Sequence, residues 1–417
     1  MLQWKILMEQ INYSCLKETE QRIGTPFYLM CSEQYKRNIA SFVAAFKKRY
    51  QNVIAGYSFK TNHIPALCEI AKSEGYYAEV VSEMELDLAI KLGFDKIIFN
   101  GPIKKDEAFR KAIAHHAIIN LDSVYEIDYI CQYKREHPGA ELKIGLRVNV
   151  RLTDENGQST IQCGLREGRF GFSYQILGEN INRLREAGIA IVALHGHTSS
   201  SDRAVANYKV ITEYMLSVCE DFQLNDLCYF DLGGGFFGAA PEGMDMTGMP
   251  SYEDYANEIM DIALRNKWFV QQQPSIVIEP GVSVVSNVFT YYMKVYQIKH
   301  IGSKNFVIVD GTVFDVKPTM HTNNLPYTMI SDNQEGESGL FDVVGSTCME
   351  KDIILHDVEL NHIKAGDYIE IKGVGAYTIA LTPTFINYQA PIISIENGEK
   401  KLIRRRQELS DVISIYE

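Results

Sequence analysis

Val53-Ile54-Ala55-Gly56-Tyr57-Ser58-Phe59-Lys60-Thr61-Asn62 is an apolar run that finishes on a lysine. Its small, β-branched and aromatic residues predict a buried strand over Val53–Phe59. Loss of solvation at the end of such a strand disfavours the ammonium and draws Lys60 toward the neutral amine, a nucleophile toward aldehydes. Taken alone, the segment favours a plainer reading, a lysine that snorkels from a strand end. The rest of the chain reverses that preference.

Outward from this run, seven further short apolar segments read as strands: Tyr77–Ser82, Lys96–Asn100, Ala117–Asp122, Leu142–Val150, Ile191–Thr198, Tyr229–Gly233 and Ser275–Glu279. Between them lie stretches of helical period, such as Ile64–Glu74 and Met84–Leu92. Strand and helix alternating eight times predict a (β/α)8 barrel, whose chemistry stands on the loops after the strands. Reactive residues do collect there. The first strand ends in Lys60 and the fifth carries Arg147. The sixth runs into His195-Gly196-His197-Thr198-Ser199-Ser200, the seventh into Asp231-Leu232-Gly233-Gly234-Gly235, and the eighth into Glu279-Pro280-Gly281.

After Gly281 the pattern turns to strands without long helices, at Val295–Ile298, Phe306–Asp310, Ile353–Leu355, Asp367–Ile371, Ile392–Ile395 and Leu402–Arg405. The expected organisation is an α/β barrel over 31–284 and a β-sandwich or barrel domain over 285–417. Residues 1–30, with the strand-like Thr25–Met30, complete that second domain.

Composition narrows the class. The 417 residues are 46% hydrophobic and 23% charged, with a formal charge of −12, which disfavours nucleic-acid and anionic-membrane partners. No run matches a signal peptide or a bilayer span, so a cytoplasmic protein is expected. The eight cysteines show no CxxC pair and no metal-ligand spacing, so no metal is expected.

Gly233, Gly234 and Gly235 after an apolar strand suggest three backbone amides offered to an anion, in a barrel usually a phosphate. Ser200 and the Gly281 amide add donors. A phosphate-bearing aldehyde beside a lysine points to pyridoxal 5'-phosphate. Glu279 is of the type that keeps a pyridine nitrogen protonated, and His197 of the type that stacks on the ring. His195 is read as a core histidine pointing the other way along the strand.

These motifs resemble, in order and spacing, the fold-type III pyridoxal-phosphate decarboxylases, which include diaminopimelate, ornithine and arginine decarboxylases. The residues that carry the resemblance are Tyr57–Asn62, His195–Ser200, Gly233–Gly235, Glu279–Gly281, Cys348 and Gly375-Ala376-Tyr377-Thr378. The likeness spans almost the whole chain and is greatest to diaminopimelate decarboxylase. It implies a carboxy-lyase acting on an amino acid with a long polar side chain, meso-diaminopimelate to lysine as the first choice. Lys60 would hold the cofactor as a Schiff base, Arg147 and Tyr377 would help to bind it, and Cys348 would return a proton to the substrate carbon. The enzyme would be a homodimer with shared active sites.

Two places depart from the family pattern. Its usual Glu-Pro-Gly-Arg is here Glu279-Pro280-Gly281-Val282. In the substrate region, Arg-Pro-x-x-Tyr and Cys-Glu-Ser become Lys317-Pro318-Thr319-Met320-His321 and Cys348-Met349-Glu350. Lysine is a point charge where arginine gives a fork, so Lys317 grips a carboxylate less selectively. Lys317, His321, Glu350 and Asp352 are the candidate substrate readers. Alternatives are a decarboxylase of a polyamine-precursor, carrier-linked or siderophore-type amino acid, and a non-catalytic protein that only carries the cofactor. Glu279 argues against a racemase, which places an arginine at the ring nitrogen.

Overall fold

The computed structural model describes residues 11–154, 156–396 and 398–416. The chain divides into two compact units. One comprises Lys36–Gly238 and Thr247–Val284; the other comprises the chain up to Tyr35, Ala239–Met246 and Val285 onward.

A strand β1, Phe27–Cys31, belongs to the second unit and precedes the barrel in sequence. The barrel unit holds β2 (Val53–Ser58), β3 (Tyr77–Val80), β4 (Ile97–Phe99), β5 (Ile118–Leu121), β6 (Lys143–Arg147), β7 (Ile191–His195), β8 (Tyr229–Asp231) and β9 (Ser275–Ile278). They close in that order, all parallel, with β9 returning to pair with β2. Parallel strands covered by helices are buried on both faces, which is why they read as continuous apolar runs. Each is shorter than its sequence expectation because the chain turns out of the ladder where the polar residues begin. An aromatic cluster of Phe42, Phe46, Phe236 and Tyr255 packs edge to face, all buried.

The β unit adds β10 (Phe289–Ile301), β11 (Lys304–Val309), β12 (Tyr327–Ile330), β13 (Glu337–Val344), β14 (Ile353–Ile363), β15 (Tyr368–Lys372), β16 (Ile392–Glu396) and β17 (Glu399–Arg404). One mixed sheet runs β14-β13-β11-β10-β1-β16-β17, with β15 joining β10 to β12. The N-terminal strand therefore lies inside the sheet: Tyr28 pairs with Tyr291 on one side and Ile392 on the other. Phe27 stacks on Tyr292, with Leu16, Leu29, Tyr368 and Ile393 around them. β12 and β13 are absent from the sequence expectation. β12 is four residues long and only partly buried, and β13 carries Gly339 at φ +156° with register shifts along its pairing, so neither shows clean alternation. β10 is far longer than the expected Val295–Ile298 and absorbs a bulge between Val295 and Gln297.

Candidate active site

The C-terminal ends of the barrel strands build one polar cluster inside an apolar wall. After β2 the chain makes a single tight turn, Phe59–Thr61, that carries Lys60, so the lysine follows the strand rather than ending it. Tyr57 Oη donates to Asn62 O at 2.7 Å, and Ser58 N donates to Pro280 O at 3.1 Å, tying the turn to the end of β9. Gly281 is needed for that approach: a Cβ there would lie 2.1 Å from Thr61 Oγ1.

Lys60 Nζ donates to Glu79 Oε2 at 2.7 Å, and Ser58 Oγ donates to the same oxygen at 2.5 Å. Glu79 is fully buried on β3. Asn100 Nδ2, just past β4, donates to Glu79 Oε1 at 3.0 Å and to Glu279 Oε1 at 2.7 Å. Asn120 Nδ2 donates to Asn100 Oδ1 at 2.8 Å and to Asp231 Oδ2 at 3.3 Å. Glu85, close by, is pushed up to about 7 by burial and by the charge of Glu79, against the Val81 N–H that it accepts.

Glu279 is 2% exposed, and burial raises its proton affinity. Asp231 is pushed further the same way, by burial and then by the charge of Glu279. Glu279 has Lys60, Asn100 and Arg147 to stabilise its charge against that burial. His195, Asp231 and Glu279 present ligand-type atoms within 4.8 Å of one another, a grouping that sequence spacing did not show.

His195 Nε2 lies 3.6 Å from Glu279 Oε2, and burial holds its imidazole well below the usual value. The expected opposite orientation of His195 and His197 is incorrect. His197 lies two residues past the end of β7, and the two rings lie parallel, 4° apart in plane with centroids at 6.1 Å. Gly234 N donates to His197 Nδ1 at 3.0 Å, which fixes a neutral ring with its proton on Nε2. Desolvation favours the same form.

The glycine loop also departs from expectation. Gly233 N donates to Asp231 Oδ1 at 2.9 Å, so with Gly234 two of the three amides serve the site's own side chains rather than an anion. Gly233 sits at φ +65°, and a Cβ there would lie 2.5 Å from His197 Cβ. Gly235 is exposed at φ +91°. Ser200 Oγ accepts from Arg203 N at 3.0 Å. Arg147 is buried, with Nη2 donating to His197 O at 2.8 Å and Nη1 lying 3.4 Å from Asp122 Oδ1. Its Nε has no protein partner.

The other candidates belong to the β unit. Cys348 is an exposed free thiol, and Glu350 is exposed. Tyr377 is 38% exposed at φ +52°, a conformation that costs a non-glycine residue about 1–3 kcal/mol. Lys317 is 1% exposed and reaches Asn323 O at 3.5 Å, and desolvation lowers its proton affinity. His321 is shifted down too, by desolvation and then by Lys317. Asp352 does not fit the part of a substrate reader. It is buried and accepts from Val313 N at 2.6 Å, Thr347 N at 2.9 Å and Thr347 Oγ1 at 2.6 Å, so it fastens the loop before Cys348.

Residues 36–286 match the family described as pyridoxal-dependent decarboxylase, pyridoxal binding domain. The chain belongs to that family. Among curated pyridoxal-dependent decarboxylases it is similar to the diaminopimelate decarboxylase of Archaeoglobus fulgidus, 28% identical over 95% of this chain and 94% of the relative. It is 26% identical to that of Aquifex aeolicus, over 95% and 93%. The crystal structure of diaminopimelate decarboxylase from Helicobacter pylori complexed with L-lysine superposes with a TM-score of 0.83 at 24% identity, covering 96% of this chain and 98% of that one. The family's barrel with a separate mixed sheet is thus the fold expected from sequence. Glu79, Asn100, Asn120 and Asp231 were missing from the predicted site. Glu79 was findable by the reasoning applied to Lys60, since Tyr76-Tyr77-Ala78-Glu79-Val80-Val81 buries a charge in an apolar run.

Proposed function

We propose that this protein holds pyridoxal phosphate on Lys60 and removes a carboxyl group from an amino acid with a long polar side chain. One observation carries the reading: Lys60, the buried Glu279 and the fixed ring of His197 stand together at one end of the closed barrel.

The residues fit the cofactor. Arg147 keeps a buried Nε with no protein partner, and Gly233 lets the loop pack directly against His197, where a Cβ would collide with the ring. When bound, the cofactor supplies an electron sink for the pair left by the departing carboxylate. Glu79 holds the Lys60 ammonium until the amine is needed. Glu279 keeps a proton at the ring nitrogen through a charge-assisted hydrogen bond, with Asn100 orienting its other oxygen. His197 covers the ring face. Ser200, the Gly235 and Gly281 amides and Tyr377 bind phosphate, with Arg147 alongside. Cys348 of the partner subunit returns a proton to the substrate carbon, in a homodimer with shared sites.

Lys317 supports a substrate with a distal anionic end, because its buried ammonium meets a carbonyl at 3.5 Å. With relatives named diaminopimelate decarboxylase over nearly the full chain, a diaminopimelate-like substrate is the first choice. The engagement of Asp352 leaves Glu350 as the carboxylate for a distal ammonium. With Asp352 so engaged, one of the two candidate carboxylates is lost, and a related amino acid without the second amino centre is the second reading. Carbon dioxide release from meso-diaminopimelate, ornithine, arginine, glutamate and 2-aminoadipate, with Lys60→Ala as control, tests the proposal. Release from at least one substrate that vanishes in the control is expected; none from any of them contradicts it.

A further inference from the structure

The carboxylate that holds Lys60 and the carboxylate at the end of β9 share one hydrogen-bond donor. A single amide stands between them. Asn100, 3% exposed, spends one N–H on Glu79 Oε1 at 3.0 Å and the other on Glu279 Oε1 at 2.7 Å, while its Oδ1 accepts from Asn120 at 2.8 Å. Its backbone N donates to Val80 O at 2.8 Å, which fixes the side chain's origin at the β3 edge.

The amide can face only one way. Turned over, it would aim its oxygen at two carboxylate oxygens and its donors at the Asn120 donor. The residue type is equally constrained. A neutral group with two donors satisfies two carboxylates without a third charge; a carboxyl adds that charge, a hydroxyl has one donor and an aliphatic side chain has none. The remaining oxygens are then free for separate work. Glu79 Oε2 takes Lys60 and Ser58, and Glu279 Oε2 faces His195. Arg147, Asp231 and Glu85 complete the ionisable surroundings.

We propose that Asn100 is a positioning residue that couples the Lys60–Glu79 pair to Glu279, so that a change of charge at one is felt at the other. The inference rests on the assignment of Lys60 and Glu279 made above. In a low-dielectric interior an amide bridging two carboxylates is polarised by both, so the sites are linked through it and not merely packed around it.

A double-mutant cycle tests this, using wild type, Glu79→Gln, Asn100→Leu and the double variant, with Asn100→Ser and its own Glu79→Gln partner as a second cycle should the leucine variant fail to fold. Two profiles are read against pH. In the cofactor-free protein, the reaction of Lys60 with trinitrobenzenesulfonate is located by mass spectrometry. In the protein loaded with pyridoxal phosphate, the long-wavelength absorbance is followed. Removal of the amide is expected to move both profiles by about one pH unit. The shift that Glu79→Gln causes in the absorbance profile is expected to fall by at least about half when Asn100 is gone. Equal shifts with and without the amide, or profiles unmoved by its loss, overturn the proposal. If the wild type takes up no pyridoxal phosphate, the proposed function fails, and the Lys60 profile still decides: additive effects of the two substitutions on it overturn the coupling, and non-additive effects support it.

Discussion

In the barrel unit, Lys60, Glu79, Asn100, Asn120, Asp231 and Glu279 are tied to one another by hydrogen bonds, and all but Lys60 are nearly inaccessible. In the β unit, Cys348, Glu350 and Tyr377 stand on exposed turns, while Asp352 is turned inward to hold the loop that carries the thiol. The difference teaches a division of labour. Strand ends of a closed barrel fix charge where solvent cannot rearrange it, whereas loops present groups that act on something brought to them. Substitutions in the first region should damage electrostatics; those in the second should damage turnover or local order without disturbing the cluster.

The largest effect is expected at Glu279. Glu279→Gln keeps the size and an acceptor for Asn100 but removes the charge, and should lower kcat by about 10³-fold, as expected for a preorganised charge in a dry site. A steady-state assay checks it, and a loss of less than tenfold would remove Glu279 from the mechanism. Cys348→Ala should cost about 10²-fold in turnover, the share of a positioned proton donor. Because the thiol is exposed, cofactor uptake and the melting temperature should stay at wild-type values. A fall in either would mean that Cys348 is structural.

Asp352→Ala strips the acceptor from three donors and should destabilise the protein by about 2 kcal/mol in urea unfolding. Were stability unchanged, Asp352 would be released to the role of substrate reader. An effect of similar size concerns pH. Glu85 titrates near 7 in the folded chain and near 4.5 when unfolded, so the folded state binds the extra proton between those values. The stability this gives is complete below 4.5 and is lost as pH rises through 7, at about 1.4 kcal/mol per pH unit. Glu85→Gln should flatten the wild-type decline between pH 5 and pH 7, and unfolding curves at the two values measure it. A decline of equal slope in both proteins would locate the titrating group elsewhere.

Much of the barrel was legible because each of its strands is a compact apolar run that stops at a polar residue, and the strand order of a (β/α)8 barrel is its sequence order. Lys60, His197 and Glu279 were legible for the same reason. The amides were not. Asn100 and Asn120 look like ordinary strand-end residues until closure sets β4 beside β3 and β5 and lets Asn100 reach across to Glu279, just past β9. The Gly233–Gly235 loop was misread because glycines invite an anion, while His197 and Asp231 already take two of the amides. The β unit was less legible still, since β13 and β10 are interrupted by register shifts that break the alternation from which strands are read.

The central claim is that the buried cluster exists to serve one amine. It is tested most directly by incubating the purified protein with pyridoxal phosphate, reducing it with borohydride and locating the added mass by peptide mapping. The account predicts one reduced adduct per chain, on the peptide that contains Lys60, and its loss in Lys60→Ala with uptake elsewhere unchanged. An adduct on another lysine, or none, would contradict it.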